Sequence, residues 1–198
     1  SDPEGDVLTY EWWTDAGFLS GVAPDYTAGS VAGIFPVTLV VNDGCLDSQF
    51  AETMVVVYDP AGGYVAGSGK IWSDAGDYLD DPSAEGGARF GFRSRYEQNG
   101  AQVPTGSTQF TFKAADLEFN SDSYQWLVVN QSGTNAQYKG RGTITGDPAE
   151  YGFMIWATDG AEDTFRIRIW YEDEQGEEWD VYDCGDTPLD RGKIKVLD

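Results

Sequence analysis

Ala88-Arg89-Phe90-Gly91-Phe92-Arg93 is the stretch that decides the fold. In an extended chain successive side chains point to opposite faces, so Phe90 and Phe92 share one side and Arg89, Gly91 and Arg93 the other. The same period of two returns where Phe110 and Phe112 share a face, and where Phe165, Ile167 and Ile169 lie opposite Arg166 and Arg168. Burial on one face only is the habit of antiparallel sheets. Working outward, no segment keeps apolar residues at i, i+3, i+4 and i+7, so helices are not expected. Short apolar or alternating runs instead stand between Gly, Asp, Asn, Ser and Pro turns.

These runs predict strands at 64–71, 88–96, 108–114, 117–120, 125–130, 137–145, 151–158, 164–171, 179–182 and 193–197. Ten strands in one segment suit a sandwich or a closed barrel. Upstream, strands are expected at 7–13, 35–41 and 51–58, with Asn42-Asp43-Gly44 as the turn between the last two. The Gly-, Ala- and Ser-rich loop 14–32 holds at most one weak strand. Asp59-Pro60-Ala61-Gly62-Gly63 reads as a linker. The expected organisation is a domain over 1–59, a linker over 60–66 and a larger domain over 67–198. Val41-Asn42-Asp43-Gly44 and Ala157-Thr158-Asp159-Gly160 share turn chemistry and are not a repeat.

The 198 residues carry 34 acids, 12 bases and no histidine, for a net charge of −22. Every Lys and Arg lies at or after Lys70, and residues 1–69 hold ten acids and no base. That repulsion must be relieved by solvent, salt or bound metal, above all calcium with its preference for oxygen ligands. The acidity argues against nucleic acid and anionic membrane surfaces, which call for clustered Lys and Arg. Arg89, Arg93, Arg95, Arg166 and Arg168 are expected on a solvated sheet face with acidic neighbours. No apolar run is long enough to span a membrane. There is no signal peptide, and the abrupt start at Ser1 suggests a longer precursor. Cys45 and Cys184 can form one disulfide in an oxidising compartment, stay free, or pair outside this chain.

Ser1-Asp2-Pro3-Glu4-Gly5-Asp6, Leu8-Thr9-Tyr10-Glu11-Trp12 and the run from Gly33 to Gly44 together resemble the PKD (polycystic kidney disease) type of immunoglobulin-like module. In that family they are the acidic turn, the aromatic strand after it and the late hairpin. The resemblance covers residues 1–58 and implies a β-sandwich in an extracellular spacer, adhesive or calcium-rigidified link. Two departures stand out. Trp13-Thr14-Asp15-Ala16-Gly17 replaces the usual Gly-Asp-Gly turn, and the family's first two strands have no counterpart after Ser1. From about residue 64 the chain resembles a bacterial β-domain of secreted multi-domain proteins, through Gly67-Ser68-Gly69-Lys70-Ile71, Phe110-Thr111-Phe112-Lys113-Ala114 and Tyr138-Lys139-Gly140-Arg141-Gly142. The fold class expected is therefore all-β: a truncated Ig-like/PKD sandwich followed by a larger antiparallel sandwich or barrel.

Asp2, Glu4 and Asp6 alternate through a Pro-Gly turn, so their oxygens can converge on one calcium ion. Asp43 completes the cage, as the resemblance implies. Capping of the turn by Asp, with no ion, is the competing reading. Asp159, Glu162 and Asp163 form a second calcium candidate, with a loop bearing Asp77, Asp80 and Asp81 as another. Trp72, Trp170 and Trp179, flanked by acids, are candidate glycan contacts, whereas Trp126 and Trp156 read as core. The lack of histidine removes Ser-His triads and His-ligated zinc, and no phosphate loop or nucleophile elbow is present. The expectation is a non-catalytic structural or adhesive module of a secreted or cell-surface protein, rigidified by calcium and able to assemble through strand edges. Its partners would be other domains, subunits or copies of the protein. The alternative is a carbohydrate-binding accessory module of a secreted enzyme.

Overall fold

The computed structural model describes residues 6–60, 62–97 and 101–197, so Asp2 and Glu4 of the acidic turn lie outside the described residues. The chain is all-β and divides after Val57 into two compact units. Among the described residues no helix is long and apolar enough to cross a membrane.

The first unit is a four-stranded antiparallel sheet of β1 (Thr9–Thr14), β2 (Gly17–Ser20), β3 (Gly33–Asn42) and β4 (Ala51–Val57), in the order β2-β1-β3-β4. The weak strand allowed in the 14–32 loop is β2, which pairs with β1 across a tight turn. The Trp12 indole N–H donates to the Gly21 carbonyl at 2.9 Å and fixes the chain leaving β2. After β3, Asp43 Oδ1 accepts the N–H groups of Cys45 and Leu46, and Gly44 takes a φ of 95° that a side chain would disfavour.

The second unit is one antiparallel sheet. Its strands are β5 (Tyr64–Ser73), β6 (Gly86–Arg95), β7 (Thr105–Phe112), β8 (Leu117–Val129), β9 (Asn135–Ile144), β10 (Glu150–Thr158), β11 (Thr164–Glu172), β12 (Glu178–Asp183), β13 (Thr187–Pro188) and β14 (Arg191–Leu197). The order is β12-β11-β10-β9-β8-β7-β6-β5-β14, with β13 also on β11. Residues 64–66, assigned to the linker from sequence, belong to β5. The strands expected at 117–120 and 125–130 are one strand, β8. Its polar middle, Ser121-Asp122-Ser123, makes a register shift instead of a turn, with a second shift after Tyr124.

The alternating residues then explain the curl. Phe90 on β6 and Phe165 on β11 are far apart in the sheet order, yet their rings stack at 3.9 Å. Phe110 on β7 meets Tyr182 on β12 at 4.8 Å. Such contacts require the sheet to roll around its own apolar face into a half-barrel. Phe112, Phe119, Tyr138, Phe153, Ile155, Ile167 and Ile169 fill the interior. Buried Thr108 bonds the hydroxyls of Tyr124 and Tyr138, both at 2.9 Å. The Tyr182 hydroxyl donates to Ser73 at 2.9 Å.

Both margins of the rolled sheet are covered. Leu79 N–H donates to Val181 C=O at 3.0 Å and Asp183 N–H to Asp77 C=O at 2.9 Å, so the segment after β5 lies along β12. On β14, the N–H groups of Ile194 and Val196 point away from β5 and donate to Asp163 Oδ2 at 2.8 Å and Asp159 Oδ2 at 3.2 Å. Two carboxylates from the β10–β11 loop thus do what a further strand would do for an open edge.

Candidate functional site

The outer face of β9–β12 is built as a lattice of cations on aromatic plates. Arg166 lies over the Trp156 ring at 4.4 Å and makes a bidentate pair with Asp183, at 2.9 and 2.7 Å. That hydrogen bonding raises the Arg166 pKa above its ordinary value. Arg168 and Lys139 lie over the Trp170 ring at 4.7 and 4.8 Å. Arg168 also bonds Asp180 at 2.6 Å and Glu178 at 2.8 Å. Trp170 lies against Gly152 of β10, where a Cβ would stand 2.3 Å from the indole. Arg141 closes the row with a forked bond to Glu172, which holds that carboxyl below its ordinary pKa.

Trp156, expected in the core, projects outward and is half-buried beside a cleft of about 250 Å³. The cleft is lined by Asn135, Gln137, Thr158, Thr164 and Asp186, with the Thr158 hydroxyl donating to Asn135 Oδ1 at 2.9 Å. An aromatic plate next to amide, hydroxyl and carboxylate groups suits a ligand with an apolar C–H face and a rim of hydroxyls. The signal available in sequence was the pair Trp156 and Arg166, which become cross-strand partners in the β10–β11 register. Trp126, the other tryptophan expected in the core, is also only half-buried.

Of the tryptophans proposed for glycan contact, Trp170 is 1% exposed and unavailable. Its neighbour Glu172 binds Arg141, and the ring is roofed by Arg168 and Lys139, which Glu178 and Asp180 of β12 hold in place. Trp72 is exposed on β5. Trp179 is exposed on β12, its indole N–H donating to Asp173 at 3.0 Å.

Of the proposed calcium ligands, Asp6, Asp43, Asp159, Glu162 and Asp163 lie among the described residues. Asp6 is exposed outside any strand, and Asp43 caps its own turn, the hydrogen bonds from Leu46 and Cys45 lowering its pKa. Asp159 takes Lys195 at 3.0 Å and Lys193 at 3.3 Å besides the Val196 N–H. The Lys195 bond leads in lowering its pKa. Burial alone would raise the Asp163 carboxyl, but the Ile194 N–H, Lys193 at 3.0 Å and the Gly160 N–H outweigh it and hold it low. Glu162, between them in sequence, is exposed. In the other acidic loop Asp77 accepts from Ser73 and from the Asp74 N–H, while Asp81 accepts from Ser83. Among the described residues no group of three His, Cys, Asp or Glu side chains is placed to hold a metal ion.

Cys45 and Cys184 are not joined. Cys45 is exposed in the first unit, and Cys184 is enclosed in the second, where burial pushes its thiol up to about 12.

The arginines expected beside acids divide into two sets. Arg166 and Arg168 have acidic partners on their own sheet face, whereas Arg89, Arg93 and Arg95 stand on the outer face of β14-β5-β6-β7, strands with no Asp or Glu, and of these three Arg95 pairs with Glu97 beyond the end of β6.

No family model, curated protein or solved structure matches the chain.

Proposed function

We propose that the chain is a non-catalytic adhesive module of an extracellular protein, recognising saccharide on the outer face of its second unit. The observation that carries this reading is the cleft beside Trp156, where an indole held by Arg166 adjoins amide, hydroxyl and carboxylate groups. The interior of the unit supports it from the other side. It is filled by stacked side chains, which directs any ligand to the surface. The extracellular setting draws on the resemblance of residues 1–58 to PKD modules and on a net charge of −22. Binding to a panel of neutral oligosaccharides, followed by titration calorimetry on the hits, tests the reading. The expected result is binding that Trp156→Ala abolishes and Trp179→Ala leaves intact. A folded chain that binds nothing on the panel, or binds equally well without Trp156, overturns it.

A further inference from the structure

In a chain of net charge −22, seven of the twelve cations lie on three neighbouring strands: Arg191, Lys193 and Lys195 on β14, Lys70 on β5, and Arg89, Arg93 and Arg95 on β6. With β7 these strands contain no acid. Register sets them in rows. Arg191, Lys70 and Arg89 lie abreast; Lys193, Ser68, Gly91 and Gln109 form the next row; Lys195, Ala66, Arg93 and Ser107 the one after. Small residues therefore floor a groove of about 550 Å³ with cations along its sides. A Cβ placed on Gly91 would meet nothing within 4 Å. Some of the charge is answered locally, by Asp190 on Lys70, Glu97 on Arg95, and Asp159 and Asp163 on the lysines. Among the described residues Arg89, Arg93 and Arg191 have no ion pair.

The first unit has the opposite character. Residues 6–57 hold seven acids and no Lys or Arg. Its only buried apolar side chains among the described residues are Val37 and Val40, at 8% and 6% exposure. Phe18, Val22, Leu46 and Phe50 are more than half exposed, and Trp13 and Met54 nearly half. Apolar surface of that extent on so small a unit marks a contact surface.

We infer that the basic groove of one copy receives the acidic first unit of a second copy, so that the chains associate head to tail. The contact joins two different patches, so it leaves one patch free at each end and propagates into a line of copies unless it closes into a ring. Mutual repulsion of the whole molecules is screened beyond about 8 Å at physiological ionic strength, while the patches act at ion-pair range. The inference goes beyond the saccharide reading and uses other strands, so either can fail alone.

Sedimentation velocity of the full chain tests it. In 0.15 M NaCl a concentration-dependent series of oligomers is expected, dissolving in 1 M NaCl. Arg89→Glu with Arg93→Glu should weaken association by about tenfold or more, as two attractions become repulsions. Thermal melting of that variant, unchanged, separates a lost contact from a lost fold. Glu11→Lys with Glu52→Lys, on the exposed surface of the first unit, should weaken it similarly, and mixing the two variants should restore a heterodimer. A monomer under all salt conditions, or oligomers indifferent to both variants, overturns the inference. So does a monomeric chain whose groove is filled by polygalacturonate, which would make it a site for acidic glycans.

Discussion

Trp156 and Trp170 stand on the same outer face, but their surroundings assign them different consequences. Trp170 is enclosed by Gly152, Arg168 and Lys139, so Trp170→Ala is expected to cost about 3–5 kcal/mol in urea unfolding, as for a core aromatic. Trp156→Ala, at a half-exposed site, should cost about 1 kcal/mol while removing ligand binding. Thr108→Val is a third case. It strands the Tyr138 hydroxyl inside the unit, at about 1–3 kcal/mol for a group left without a partner, while the Tyr124 hydroxyl keeps Ser121 at 3.1 Å. None of this ranking is legible in the chain order. A tryptophan between charges reads as exposed until the register shows that the charges fold back over its ring. The partners of Asp159 and Asp163 lie 30 to 36 positions downstream in β14. Only the curl of the sheet makes them neighbours, so the chain order shows the two acids without the lysines that face them.

Most strands could be read from sequence because one face is buried throughout, and a period of two then marks each of them. The failures occur where that rule lapses. β8 runs straight through a polar stretch by shifting register, and β13 is too short to show any period. The covering of β14 is the element-level feature most open to measurement. Its two carboxylates have folded-state pKa values below the ordinary range. The unfolded chain therefore binds protons more readily in acid, and the stabilisation they give is present above about pH 4 and lost as pH falls through the folded values. Asp77 works in the opposite sense. Burial raises its pKa, so its contribution favours low pH and is lost as the carboxyl ionises. Amide exchange followed by mass spectrometry should show Ile194 and Val196 losing protection below about pH 4, before the β8–β10 ladder does. Asp159→Asn with Asp163→Asn should produce the same local loss at neutral pH. Equal protection in the variant would show that these side chains do not guard the edge.

At the scale of the whole molecule, two compact units with unequal cores predict two thermal transitions by calorimetry. The first unit, with two buried apolar side chains among its described residues, is expected to melt first. Calcium followed by a chelator should move only that earlier transition, because the acids of the β10–β11 loop already hold lysines and backbone N–H groups. A shift in the later transition would support the metal role expected of Asp159 and Asp163. The pairing of β5 with β14 has a mechanical consequence. Tyr64, where β5 begins, stands opposite Leu197, where β14 finishes. A pull applied across those two residues loads the ladder one rung at a time, like opening a zip, and never shears all of its rungs together. The second unit should therefore give way at low force when pulled across Tyr64 and Leu197 and then pay out its chain strand by strand, as single-molecule stretching would record.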